Sequence, residues 1–207
     1  MMIQAETTPP KQTGAFAIRR ERASDTTARE ALLDRCFGAD RDGRTCQRLR
    51  EGRLPADGLA FSATQARRLV GTLRLWNVTV GGQPVLLLGP IAVDPALQSR
   101  GIGAALMRHA IGKARVLGHA AIVLLGDAPY YARFGFKAAK AKDLLLPGPF
   151  ERERLLGLEL VDGALDGTWG MIVAAGATAS EARGHRSARN RLKRDEIWLN
   201  HHRALGS

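Results

Sequence analysis

Val85-Leu86-Leu87-Leu88-Gly89-Pro90-Ile91-Ala92-Val93 is the longest apolar run of the chain, and Asp94-Pro95-Ala96-Leu97-Gln98-Ser99-Arg100-Gly101-Ile102-Gly103-Ala104 follows it directly. A strand that is apolar throughout has no solvent face, so the run predicts a central strand covered on both sides. Gly89-Pro90 conflicts with an unbroken strand. Proline lacks a ladder N–H, and glycine within a strand marks a bulge or a close backbone approach. A central strand interrupted there opens a gap in its sheet; a simple kink is the alternative. From Gly101 the pattern turns helical, with Ile102, Leu106, Ala110, Ala114 and Leu117 on one face and Gly118 as the stop.

Strand, Gln98-x-x-Gly101-x-Gly103, then helix is a physical recipe for holding phosphate. The glycines admit close backbone approach, and the unpaired N–H groups of the first helical turn favour negative charge. Arg100 adds a mobile cation. A Walker A loop needs Lys followed by Ser or Thr after its second glycine, and Ala104 stands there. A Rossmann loop needs glycine directly after the strand. Here Asp94 to Arg100 intervenes, and the third glycine position is Leu106.

Working outward, Ala15-Phe16-Ala17-Ile18-Arg19 alternates like a first strand. Ser24 or Asp25 can cap a helix running to about Cys36, with Ala28, Ala31, Leu32 and Cys36 on its apolar face. A second short helix is expected from Arg44 to Glu51. Leu59 to Ala63 and Leu69 to Trp76 read as a hairpin, and Gly81-Gly82 as the turn into the central strand. Beyond the long helix come a buried strand, Ala120 to Leu125, and a short helix from Ala128 to about Phe134. Leu155 to Leu160 and Trp169 to Val173 read as closing strands. The result is a mixed α/β domain rather than a clean βαβ repeat.

The chain has 207 residues with 45% hydrophobic and 25% charged content, ordinary for a folded protein and unlike a disordered or collagen-like one. No segment approaches the ~20 apolar residues of a membrane helix. The opening residues lack the basic and apolar regions of a signal peptide, so a cytoplasmic protein is expected, without a membrane partner. Cys36 and Cys46 are too few for a disulfide framework or a four-ligand zinc site, and no metal is expected. The formal net charge is +11. It raises the standing of phosphate-bearing ligands, nucleic acid and acidic surfaces as partners. Seven Lys/Arg fall between Ala182 and Ser207 against Asp195 and Glu196. The organisation expected is a flexible 1–14, a domain over 15–177 and a basic extension over 178–207.

The strand Leu87–Val93 with its Gln98–Ala104 loop and helix resembles the acetyl-CoA site of the GNAT superfamily of N-acetyltransferases, whose signature is Gln/Arg-x-x-Gly-x-Gly/Ala. Tyr130-Tyr131-Ala132-Arg133-Phe134-Gly135-Phe136 resembles its second signature, an aromatic-Tyr-x-x-x-Gly-Phe segment after the next strand. Leu88-Gly89-Pro90, Gly126-Asp127-Ala128-Pro129 and Pro147-Gly148-Pro149 are similar to a poorly characterised bacterial branch. The resemblance runs loosely from Ala15 to Val173. It implies a central mixed β-sheet, splayed at its middle strands and flanked by helices, with acetyl-CoA entering the splay. Backbone groups of Ile91, Ala92 and Val93 would then meet pantetheine. N–H groups of Gln98, Ser99, Arg100, Gly101, Ile102, Gly103 and Ala104 would hold the pyrophosphate, with Tyr130 and Phe134 packing around the cofactor.

The same resemblance implies direct attack by an amine on acetyl-CoA, with Tyr131 as the general acid. Asp127 is the nearest candidate base, though it also suits capping the helix that starts at Ala128. Lys137, Lys140 and Lys142 read as a solvated basic loop, or as contacts to a ribose phosphate. The competing reading is an acetyl-CoA-responsive or nucleic-acid-binding module using residues 182–207. That segment reads first as a solvated tail or a helix packed on its own domain. The acceptor amine is left unidentified, and an oligomer is open.

Overall fold

The computed structural model describes residues 15–38, 41 and 43–182. The expectations for residues 1–14 and for the basic segment from 183 onward lie outside them. The strands are Ala17–Arg20 (β1), Ala60–Gln65 (β2), Arg68–Val80 (β3), Gln83–Val93 (β4), Ala121–Leu125 (β5), Leu144–Leu145 (β6), Leu155–Glu159 (β7), Gly170–Met171 (β8) and Val173–Ala174 (β9). The α-helices are Thr26–Phe37 (α1), Ile102–Val116 (α2) and Ala128–Ala132 (α3). One sheet runs β1–β2–β3–β4–β5–β7, with β9 added against β3, and β6 pairs β8 separately. All neighbours in the main sheet are antiparallel except β4 and β5. The β3–β4 hairpin turns at Gly81-Gly82, whose φ values of 55° and 81° match the twist such a turn requires.

β4 carries the expected irregularity. Its register against β3 passes from Leu75↔Leu88 to Leu73↔Ile91, so Gly89 and Pro90 together oppose Arg74 alone. The Gly89-Pro90 peptide is cis and Gly89 has φ 124°. The extra residue reverses the in–out alternation. Leu86 and Leu88 face α2 before the bulge and Ile91 and Val93 after it, while Val85, Leu87 and Ala92 face the other side.

The two faces are covered differently. On one, Ile102, Leu106, Met107, Ala110 and Ala114 of α2 pack on Leu73, Leu75, Leu86, Ile122 and Leu156. On the other, α1 seats Leu32 and Leu33 on Ala92, and a 3-10 helix, Thr45–Leu49, adds Cys46 and Leu49 beside Trp76 and Leu87. That 3-10 helix stands where a helix over Arg44 to Glu51 is expected. Residues 177–179 continue this side by hydrogen-bonding to Gly52 and Leu54.

Two sequence expectations are corrected. In α1 the buried face is Arg29, Leu32 and Leu33, while Ala28 and Ala31 are exposed. The Arg29 guanidinium is carried inward because Glu21 and Glu30 receive it there, and Glu21 in turn binds Arg74. Trp169 to Val173 is not one strand. Gly170–Met171 pairs with β6 and Val173–Ala174 with β3, with buried Ile172 at the step between them.

Asp25 ties the start of α1 to the sheet. Arg19 grips its carboxylate at 2.7 and 2.8 Å, while the Arg22 N–H and the Ser62 hydroxyl donate to it at 2.9 and 3.0 Å. The Arg19 contact holds the carboxyl well below the usual carboxylate range, against a burial that works the other way. A group depressed by folding stabilises the protein above its unfolded pKa, near 4, and loses that contribution as pH falls further. Urea denaturation of the unaltered protein at pH 6 and pH 3 should therefore show a loss of stability. The Asp25→Asn variant should be weaker at pH 6 and lose visibly less on acidification. An identical pH dependence in the two proteins would contradict this assignment.

Candidate active site

β4 and β5 pair only through Leu86↔Ile122 and Leu87↔Val123. Past those residues the bulge carries β4 away, so among the described residues no strand pairs with the far edge of Ile91 to Val93. The gap widens into a cleft of about 900 Å³. Leu88 to Ile91 form one wall and Leu124 to Asp127 the other, with Tyr130 and Tyr131 from α3 alongside. Leu33, Phe37, Arg41, Gly43 to Gln47, Arg50, Pro149 to Glu151 and Arg154 complete it on the face opposite α2.

The start of α2 lies beside this gap on its other face. Asp94 accepts from the Ala96 N–H at 3.1 Å and begins the turn. Gly101 then takes the N-cap position with φ 81° and without a capping side-chain hydrogen bond. The N–H groups of Ile102, Gly103 and Ala104 therefore have no intrahelical acceptor and present positive charge outward. Gly103 answers a spatial demand. A methyl built on it would stand 3.3 Å from the Tyr130 hydroxyl and 3.6 Å from Val93. Gln98, Ser99 and Arg100 are exposed around this start, and Ser99 has φ 62°.

Consecutive tyrosines line the cleft, and Tyr131 also packs on the α2-side core. Tyr130 turns its hydroxyl toward Gly103 and stacks edge-on with Tyr131 and Phe134 at 5.0 and 5.7 Å, under the Arg133 guanidinium. Tyr131 lies across the backbone of Gly126, where a methyl would fall 2.3 Å from its ring. Burial pushes its phenol up to about 12, reinforced by Tyr130 and Asp127 and opposed by Arg154. No described group hydrogen-bonds the Tyr131 hydroxyl. Phe134 packs against the α2-side core.

Asp127 is exposed at the rim, and its side chain makes no capping bond to α3; its backbone carbonyl instead accepts from the N–H groups of Tyr130 and Tyr131. The structure thus brings Ile91, Asp127, Tyr130 and Tyr131 to one cleft, with the Gln98–Ala104 loop adjoining through Gly103. Ala92 instead turns its methyl under α1, and Val93 lends its carbonyl to the Cys36 thiol at 3.4 Å. Of the basic loop, Lys140 is engaged by Glu159 and Asp166 at 2.7 and 2.8 Å. Among the described residues no group of three His, Cys, Asp or Glu is placed to hold a metal.

Sequence reasoning missed Arg50, Glu151 and Arg154. They come from segments about a hundred residues apart, each one more charge in a charge-rich stretch. Arg44 covers Phe37 at 5.1 Å, Arg41 is paired with Glu30 and Asp34, and Arg154 lies 3.6 Å from Glu151. Four arginines against Asp127 and Glu151 make the opening basic.

The family model described as "Acetyltransferase (GNAT) family" matches residues 21–136. The uncharacterized N-acetyltransferase YhbS of Escherichia coli K12 is 31% identical over 157 residues, covering 75% of this chain and 93% of YhbS. YjhQ of the same organism, likewise an uncharacterized N-acetyltransferase, is 30% identical over 131 residues, covering 61% and 72%. The crystal structure of E. coli YhbS in complex with CoA superposes with a TM-score of 0.66 at 30% identity, covering 77% of this chain and 89% of that one. A GNAT family acetyltransferase from Brucella melitensis in complex with acetyl-CoA gives 0.58 at 28% identity, covering 78% and 97%.

The Tyr131–Gly126 contact is directly testable. Gly126→Ala must displace the Tyr131 ring or the backbone beneath it, because its methyl would fall 2.3 Å from that ring. Overpacking of this kind costs about 1–3 kcal/mol. Urea denaturation should read that loss, and an unchanged midpoint would show that Tyr131 does not rest on Gly126.

Proposed function

The chain belongs to the acetyltransferase (GNAT) family, and on that premise we propose that it transfers the acetyl group of acetyl-CoA to the nitrogen of a primary amine. The observation that carries the reading is the parting of β4 from β5 at the bulge, with the uncapped start of α2 on one face and an open cleft on the other. The residues fit acetyl-CoA. The first-turn N–H groups of Ile102, Gly103 and Ala104, with the exposed Gln98–Gly101 loop leading into them, suit its pyrophosphate, with Arg100 as an added cation. The stretch of Ile91, Ala92 and Val93 beyond the pairing with β5 suits the amide-bearing pantetheine arm, the Val93 carbonyl being already met by the Cys36 thiol. Tyr130 and Phe134 pack beside that path. The amine then enters from the opposite face, between α1, the Thr45–Leu49 turn and residues 149–154.

Acetyl-CoA supplies an activated thioester: the amine nitrogen bonds its carbonyl carbon, the carbon–sulfur bond breaks, and the products are an N-acetyl amide and the CoA thiol. The protein's share is placement and proton handling. A backbone N–H at the bulge donates to the carbonyl oxygen as charge gathers there. Tyr131, its pKa raised by burial, keeps its proton at neutral pH and donates it from Oη to the departing sulfur. Asp127, the rim carboxylate next to Tyr131 on α3, receives the proton that the amine must lose.

Calorimetric titration should show acetyl-CoA binding in preference to dephospho-CoA and ATP, and Gly103→Leu should weaken it at least tenfold by filling the space beside Tyr130. A folded protein that does not bind acetyl-CoA would overturn the reading. For the acid role, Tyr131→Phe should lower the rate of thiol release by about 10²–10⁴ while leaving acetyl-CoA affinity unchanged. Full turnover in that variant would remove Tyr131 from the chemistry.

A further inference from the structure

Arg50 is the cleft arginine that reaches the bulge, and no carboxylate among the described residues meets its charge; Arg44, which also lacks one, is exposed and lies over Phe37. Arg50 ends the Thr45–Leu49 turn, and a methyl built on Gly89 at the bulge would stand 3.6 Å from its Nη2. Its Nε is shut away from solvent with no hydrogen-bond acceptor among the described residues. The titratable group beside it is the Cys46 thiol, whose own pKa burial raises, and burial pushes the guanidinium below the ordinary arginine value. An arginine nevertheless stays cationic throughout. The other inward arginines are all answered: Arg19 by Asp25, Arg29 by Glu21 and Glu30, Arg74 by Glu21. Buried cations are normally paired, because taking an uncompensated charge out of water is strongly unfavourable.

We infer that Arg50 receives a carboxylate carried by the acceptor, so that the amine acetylated is that of a free amino acid. This rests on the acetyltransferase reading above. Arg50 Nη2 lies against Gly89, at the bulge where the acetyl group is handed over, so the carboxylate it holds is only a few atoms from the reacting nitrogen. Free α- and β-amino acids meet that demand. A lysine side chain of a protein does not, and polyamines would bring a second cation to a basic cleft. The guanidinium fork matches a carboxylate in shape as well as charge. Its field also disfavours the ammonium form of the neighbouring nitrogen, which must be neutral to attack.

Protein saturated with CoA is titrated calorimetrically with the coded amino acids and β-alanine, and then with the amides and decarboxylated amines of those that bind. The expected result is at least one amino acid that binds on the order of 100-fold more tightly than its amide or amine. Arg50→Gln should level the set while acetyl-CoA affinity stays within about threefold, since the pyrophosphate and pantetheine contacts lie elsewhere. In the unaltered protein, the same amino acid should shield Arg50 from phenylglyoxal, read by mass spectrometry, and its amide should not. This second readout stands even if the variant fails to fold. A panel in which no free amino acid binds, amides that bind as tightly as the acids, or a preference surviving in Arg50→Gln would overturn the inference. Failure of the unaltered protein to bind acetyl-CoA would instead strike the acetyltransferase reading itself.

Discussion

One extra residue in β4 governs the layout of this protein. Gly89 and Pro90 stand opposite Arg74 alone, and the alternation of the strand reverses across them. Had the strand continued in step, Ile91 and Val93 would have faced α1, and Ala92 would have faced α2. The reversal gives the α2 core two branched side chains and leaves α1 the small Ala92 on which Leu32 and Leu33 can settle. It also bends β4 from β5, which is why their pairing ends at Leu87 and Val123. The Trp76 indole N–H donates to the Gly89 carbonyl, satisfying a group that the broken ladder would leave without a partner.

A polar chain of contacts supports the bulge from the β3 side. Arg74 lies 5.6 Å over the Trp76 ring and is held by Glu21, which also binds Arg29 of α1. Such a half-buried network contributes modestly to net stability, because desolvation offsets much of its attraction. Its evident effect here is geometric: it fixes α1 and Trp76 relative to the strand that must stay open. The two faces of the gap are then chemically distinct. One offers backbone N–H groups at the start of a long helix, and the other a cleft with more cations than carboxylates.

What could be read from the sequence was local in it. The apolar run, its Gly-Pro interruption, the glycine loop, the helix after it and the aromatic segment with Tyr131 each announce themselves within about ten residues. Ala28 and Ala31 illustrate the limit. Helical spacing marks them apolar, yet Arg29 is buried because Glu21 waits on the sheet side, a partner that periodicity cannot report. Trp169 to Val173 looks like a strand by composition, but its pairing is divided between β6 and β3. Arg50 is the clearest case. Among 31 basic residues nothing local distinguishes it; only the fold sets it against Gly89 without a counter-charge.

The gap between β4 and β5 is where acetyl-CoA is proposed to reside. Amide hydrogen exchange, compared with and without saturating acetyl-CoA, reads that placement residue by residue on the intact chain. Strong slowing at Ile91 to Val93 and at Gln98 to Ala104, with little change in β1 and β2, is the result expected. Exchange unaltered at both segments under saturating acetyl-CoA, or protection concentrated elsewhere in the sheet, would contradict it.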